Sequence, residues 1–94
     1  MAIRSFKGKW AKALFEDQIP RGCPPDIVIV ARRKLMMVHR ARKIADLLAP
    51  PANRLEQPKG NRRGQYSIRI YSQRRVCFHW RDGHAENVEV VDYH

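Results

Sequence analysis

The stretch QYSIRIYSQRRVCFHWRDGHAENVEVVDY, residues 65–93, carries an alternation absent from the rest of the chain. Tyr66, Ile68 and Ile70 take every second place, with Ser67 and Arg69 between them. Val76, Phe78 and Trp80 repeat the pattern against Arg75, Cys77 and His79. A period of two marks a strand with one face on a core and the other toward water. The run Arg81-Asp82-Gly83-His84 supplies hairpin turn chemistry, and AENVEVVDY (85–93) makes a third strand. The stretch therefore predicts an antiparallel meander with one apolar face.

Register follows from parity. If Ile68 and Ile70 share a face with Val76 and Phe78, the connecting loop holds an odd number of residues. A three-residue loop at 71–73 sets Arg69 directly opposite Arg75 on the solvent face. Like charges so placed repel unless an anion lies between them, which points to a phosphate site on the open face. Two arginines splayed into water would serve equally well. The second hairpin is open: a two-residue Asp82-Gly83 turn sets Val88 and Val90 on the Arg75 face, and keeping them with Phe78 needs a bulge.

Working back toward the start, APPANRLEQPKGNRRGQ (49–65) holds three prolines and two glycines and reads as irregular. Loops of this length in compact domains are often functional. Before it, RKIADLL (42–48) predicts a short helical piece. Ile27, Ala31, Leu35 and Val38 keep a period near 3.6 and predict a helix over about 25–40, with Asp26 as its N-cap after two prolines. Trp10, Leu14 and Phe15 predict another within 7–17, and IRSF (3–6) a short first strand. Helices first and strands last make an α+β fold: N-terminal helices packed on a small, mainly antiparallel sheet. Ninety-four residues make one domain, 1–94.

Charge is the outlier. Nineteen Lys and Arg against nine Asp and Glu give +10. Residues 1–48 carry eleven basic and four acidic groups, and residues 65–94 carry four of each. The basic field thus belongs to the first two-thirds of the chain and suits a polyphosphate partner, nucleic acid above all. MAIRSFKGKW lacks the apolar centre of a secretory signal. DIVIVA is too short to span a bilayer, so no membrane is expected. Cys23 and Cys77 lack CxxC spacing and read as reduced thiols of a cytoplasmic protein. The four histidines form no HxH or HxxxH pair, so no metal and no cofactor are expected.

The polar residues Glu56, Lys59, Arg75, Asp92, Tyr93 and His94 together contain what metal-free RNA cleavage requires. A base takes the 2′-OH proton, cations stabilise the phosphorane, and an acid protonates the departing 5′ oxygen. Histidine titrates near neutral pH and arginine grips phosphate bidentately. Sequence alone does not bring these side chains together. A lone His94 is a solvated histidine, and a Tyr93 after two valines is the rim of a core.

The segments IRSFKGKWAKALF, PPANRLEQPKGNRRGQYSIRI, RRVCFHWRDG and NVEVVDYH occur here in order. They resemble the toxin half of the HigB branch of the RelE/ParE toxin–antitoxin superfamily. The combination of PPxNRLxxxKGxRxGQYSIR, an arginine leading VCF and a terminal DYH carries the likeness from Ile3 to His94, weakest over 17–48. The resemblance implies a RelE-like fold, with a few helices against a curved sheet. It implies a ribosome-dependent endoribonuclease that cuts mRNA in the A site by 2′-OH attack and leaves a 2′,3′-cyclic end.

By position, Lys59 matches a phosphate-contacting lysine, Arg75 the strand arginine, and Asp92, Tyr93 and His94 the tail that completes the site. The chain is then expected to stop at DYH because its end belongs to that site. Two departures stand out. Glu56 stands where some relatives have His, which removes one candidate proton carrier and leaves either Glu56 as base or a slower site. Arg74 stands where many have Trp, which either alters packing or adds a phosphate contact. Arg54, Arg62, Arg63, Arg69 and Arg74 are the implied RNA contacts around the site. Lys7, Lys9, Lys12, Arg32, Arg33, Lys34 and Arg40 are candidates for ribosomal RNA. The implied partners are a helix-turn-helix, HigA-like antitoxin, the ribosome with its mRNA, and operator DNA through the antitoxin complex. Two other readings compete: a ParE-like gyrase poison, which generally lacks the acid–phenol–imidazole tail, and a non-catalytic RNA-binding member. The last needs exposed aromatics for stacking, whereas Trp10, Phe15, Phe78 and Trp80 are expected in the core.

Overall fold

Two prolines launch the long helix. Pro24 is extended at its N-cap and Pro25 occupies the first helical position, where a missing N–H costs nothing. A computed structural model describes residues 2–57, 64–71 and 73–92. In it α1 spans Trp10–Phe15 and α2 spans Pro25–Arg40. The strands are β1, Gln65–Tyr71; β2, Arg74–Arg81; and β3, His84–Asp92. They form an antiparallel sheet in the order β1-β2-β3. Helices and strands segregate along the chain, the α+β arrangement expected.

The apolar faces meet as their periods require. Ile27, Ala31, Leu35 and Val38 of α2 are buried with Ala11 and Leu14 of α1. Across from them lie Ile68 and Ile70 of β1, Val76 and Phe78 of β2, and Ala85 and Val88 of β3. Phe78, on the central strand, is fully buried, worth about 2–3 kcal/mol for a side chain of that size. Its ring stacks with Tyr66 at 6.4 Å.

Several expectations need correction. Asp26 does not cap α2: Pro24 holds that place, and Asp26 lies in the first turn with no side-chain cap bond. Helix α1 is shorter than 7–17, because Gly8 and Asp17 bracket it in left-handed conformations (φ 79° and 62°) that no helix continues. The piece at 42–48 is a 3₁₀ turn over Ile44–Leu48, led by the Asp46 carboxylate accepting the Arg42 N–H at 2.9 Å. IRSF is not an independent strand. Ile3 and Phe6 form isolated parallel bridges to Ala85 and Val88 along the outer edge of β3.

The first hairpin keeps Arg69 opposite Arg75, but by a different route from the one expected. Tyr71 pairs with Arg74 after a register shift that passes over Ile70, so the loop is shorter than 71–73. In the second, Asp82 and Gly83 are both left-handed (φ 52° and 79°), the geometry a two-residue hairpin demands. The face of β3 is then decided at Asn87 (φ 52°), the extra residue of a bulge between Cys77↔Glu89 and His79↔Glu86. The bulge leaves Val88 buried and Val90 opposite Val76, both on the Phe78 face.

Within 49–65, Pro51–Asn53 make one 3₁₀ turn. Arg54 then turns left-handed (φ 43°, ψ 58°), and Glu56 pairs with Ser67 on the outer edge of β1. Both sheet edges thus acquire short partners, which blunts their unpaired backbone groups.

Candidate active site on the open face of the sheet

With alternate side chains of β1 and β2 given to the core, Ser67, Arg69, Arg75, Cys77 and His79 fall on the opposite face. Arg69 and Arg75 stand directly across from one another. The Arg75 guanidinium lies over Ser67. Its Nε donates to Ser67 Oγ at 2.8 Å and its Nη2 to Ser67 O at 3.3 Å. The same Nη2 donates to the carbonyl of Arg54. Nη1 lies 3.8 Å from Glu56 Oε1.

The expected anion beside the paired arginines is therefore supplied in part by the protein itself, as Glu56. The Arg75 side chain is 11% exposed, and that of Glu56 63%. An arginine planted in the sheet thus meets a carboxylate open to solvent. Glu56 reaches this place through its backbone, which exchanges two 2.9 Å hydrogen bonds with Ser67.

Charge is unevenly matched across this face. Along β3, Glu86 meets Arg4 and Glu89 meets Lys7, each at 3.9 Å. At the β1–β2 end, Glu56 meets Arg75, whose cross-strand neighbour is Arg69 and whose Nη2 holds the Arg54 carbonyl. A guanidinium beside an exposed carboxylate is able to hold a phosphodiester and take a proton from a neighbouring ribose hydroxyl.

Adjacent residues point the opposite way. Arg74 lies on the helix side, its guanidinium carbon 5.3 Å from the centre of the Trp10 ring. Its Nη2 is 3.8 Å from Oδ2 of its cross-strand partner, Asp92. Asp92 is thus drawn to Arg74, across the sheet from Arg75. The two line a shallow cleft of about 330 Å³ with Lys7, Lys9 and Trp10. Trp10, Phe15 and Trp80 are half-buried at the margin of the core, and Phe78 is wholly inside it.

Of the other sequence candidates, Lys59, Arg62, Arg63, Tyr93 and His94 lie outside the described residues. Arg32 is spent on local structure. It donates to the carbonyls of Leu14 and Gln18 at 3.1 Å each and lies 3.6 Å from Asp17, clasping the end of α1 to α2. Lys34 is not a surface cation: it is buried, with Nζ 2.6 Å from Asn53 Oδ1. Burial, then repulsion from Arg33, lowers its pKa. Lys9, Lys12, Arg33 and Arg40 are exposed on or beside the helices.

Sequence reasoning missed Ser67 and Asn53. Ser67 alternates with isoleucines and reads as a solvent-side filler. Its pairing with Glu56 depends on a backbone bend that no side-chain pattern reports. Neither Cys23 nor Cys77 is in a disulfide, and both are buried.

Residues 4–94 match the HigB-like toxin family, described as the RelE-like toxin of type II toxin–antitoxin system HigB. The chain belongs to this family. It is 41% identical over 83 residues to Toxin HigB-1 of Vibrio cholerae serotype O1, a match covering 87% of each chain. It is 33% identical over 92 residues to Endoribonuclease HigB of Proteus vulgaris, covering 98% of this chain and 99% of that one. An uncharacterized protein of Haemophilus influenzae is 37% identical over 67 residues, 69% of this chain and 64% of its own. The expected HigB-type, RelE-like assignment thus holds across nearly the whole chain. Among the described residues, no helix is long and apolar enough to cross a membrane.

Proposed function

We infer that this HigB-like chain is the toxin of a type II toxin–antitoxin pair and an endoribonuclease acting on mRNA. Family membership supports the toxin assignment and implies an antitoxin partner. The relative named as an endoribonuclease, matched along almost its full length, supports the activity. The observation that carries the residue-level reading is the pair of Arg75 and Glu56, 3.8 Å apart on the open face.

In this reading Arg75 and Arg69 hold the scissile phosphate and stabilise charge as the phosphorane forms. Glu56 takes the proton of the 2′-OH, whose oxygen bonds to phosphorus as the P–O5′ bond breaks. The departing 5′ oxygen takes a proton from an acid supplied by the tail residues Tyr93 and His94; Asp92, held by Arg74 on the helix side of the sheet, takes no part in this step. The products are a 2′,3′-cyclic phosphate and a 5′-hydroxyl. Lys59 adds a phosphate contact, as Arg54, Arg62 and Arg63 do for the flanking RNA, whereas Arg74 packs over Trp10 on the other face. No step calls on a metal. The setting is the ribosomal A site in the cytoplasm, with a HigA-like helix-turn-helix antitoxin that neutralises the toxin and carries it to operator DNA. Lys7, Lys9, Lys12 and Arg33 face ribosomal RNA.

The test is purified protein with a defined mRNA, with and without programmed ribosomes, ends mapped by primer extension. Cuts within A-site codons only when ribosomes are present are expected. Cuts in free mRNA would overturn ribosome dependence, and intact mRNA in both tubes would overturn the nuclease.

A further inference from the structure

The loop that brings Arg54 and Glu56 to Arg75 is tied down from the far side of the core by two buried polar residues. No step of the proposed reaction uses either. Lys34 sits on the inward side of α2 at 7% exposure, and Asn53 is fully buried. Lys34 Nζ donates to Asn53 Oδ1 at 2.6 Å. Asn53 Nδ2 donates to the carbonyls of Leu47 and Ala49 at 3.2 and 3.3 Å.

Counted from Ile27, position 34 is i+7, where an apolar residue would complete the buried stripe of α2. A lysine there, facing a neutral amide, costs desolvation that a methionine or leucine would avoid. What the polar pair supplies is a single arrangement of the chain at Asn53. The next residue, Arg54, takes its left-handed turn and presents its carbonyl to Arg75 Nη2. Two residues later Glu56 docks on Ser67 and faces Arg75 Nη1. One unbroken path of contacts thus runs from α2 through the core to the guanidinium on the open face.

We propose that Lys34 and Asn53 are positioning residues: their buried bond fixes the Arg54–Glu56 strap and so orients the Arg75 guanidinium for the RNA phosphate. This rests on the reading of Arg75 and Glu56 given above. Neither residue touches the reacting atoms, and their effect reaches the site through backbone geometry. Small misplacements of such groups are felt strongly in rate.

The test compares wild type, Lys34→Met, and the Lys34→Met/Asn53→Leu pair, which refills the interior with apolar groups if the single variant fails to fold. Two readouts are taken: nitrogen-resolved NMR signals of the Arg75 guanidinium, assigned with Arg75→Lys, and kcat and KM for mRNA cleavage on programmed ribosomes. Wild type is expected to give separate Arg75 Nη signals, held by Arg54 and Glu56. In the folded variants these collapse to one averaged signal, and kcat falls by ~10- to 100-fold with KM little changed. Unchanged Arg75 signals in a folded variant overturn the proposal, whatever the rate does. Averaged signals with an unchanged kcat overturn its catalytic half. Wild-type protein that cleaves nothing overturns the functional reading instead, and the guanidinium signals still decide whether Lys34 and Asn53 hold Arg75.

Discussion

Arg69 and Arg75 face each other directly across β1 and β2, and the sheet accommodates both because Arg75 is held by Ser67, Arg54 and Glu56. Cations with this little separation repel, and removing one would relieve the fold while harming a phosphate site. Arg75→Ala is nonetheless predicted to destabilise by ~1–3 kcal/mol, since three lost hydrogen bonds, worth about 1 kcal/mol each, outweigh the ~0.2–1 kcal/mol of relieved repulsion. Cleavage should drop by ~10²–10³-fold, and Arg75→Lys should not restore it, because an ammonium lacks the planar fork. Urea melts and primer-extension rates check this; a fully active Arg75→Ala would remove Arg75 from the site.

Glu56 offers a sharper separation of roles. Its carboxylate is exposed, so its ion pair with Arg75 contributes at most ~1 kcal/mol to stability. Glu56→Gln should melt like wild type yet lose ~10²–10⁴-fold in kcat if the carboxylate is the base. A variant with wild-type kcat would mean that the base lies elsewhere.

His39 predicts a pH dependence of stability. Its ring meets Phe15 edge-on at 5.0 Å, and its Nδ1 accepts the Ile3 N–H at 3.4 Å. Burial, with nearby positive charge including Arg40, lowers its pKa below the usual 6.5. Between the lowered folded value and ~6.5 the unfolded chain binds the extra proton, so stability rises with pH. This contribution is complete above ~6.5 and declines as the pH falls below it, until the folded value is passed. Urea midpoints measured from pH 7.5 down to 5 should show the decline, and His39→Gln should flatten it. An identical decline in both proteins would assign it to other groups.

Asn87 sets the face of β3. Asn87→Gly should be nearly neutral, whereas Asn87→Val, forced to a left-handed φ, should cost ~1–2 kcal/mol. Deleting Asn87 would shift the remainder of the strand by one residue and carry Val88 and Val90 to the Arg75 face. That deletion is predicted to abolish the cooperative unfolding transition. A deletion protein that melts normally would show that the bulge is dispensable.

Arg74 over Trp10 gives an optical handle. Arg74→Ala removes a cation–π contact worth ~0.5–1 kcal/mol and leaves Asp92 without this cross-strand partner. Trp10 emission should change while the sheet persists. Unaltered tryptophan emission in the variant would place Arg74 away from the ring.

Much of this fold can be read from periodicity because burial enforces it. The stripe Ile27, Ala31, Leu35 and Val38 and the alternation through Ile68, Val76 and Phe78 leave few other ways to cover apolar surface. Asp82-Gly83 announces its turn by backbone preference alone. The opposition of Arg69 and Arg75 follows from parity, although the bulge past Ile70 does not. What escaped depends on single backbone angles. The left-handed Asn87 chose the face of β3, Gly8 and Asp17 trimmed α1, and the turn at Arg54 brought Glu56 beside Ser67. Lys34 looked like one more surface cation because its charge outweighed its place on the buried stripe. Arg75 and Glu56 were both identified as site residues, but their meeting depends on an edge pairing between segments that are not joined by a hairpin.

The bridges from residues 3–6 to β3 carry a kinetic consequence. The Asn87 N–H reaches the Ser5 hydroxyl across 82 positions of sequence, and Ala85 and Val88 pair with the same early segment. Contacts of such long separation form late, after most of the loop-closure entropy has been spent. During synthesis the bridges from Ile3 and Phe6 wait until the third strand has been translated and has emerged. A growing chain therefore cannot finish the sheet that displays Arg75, which delays the maturation of a protein proposed to act on the machine that is making it.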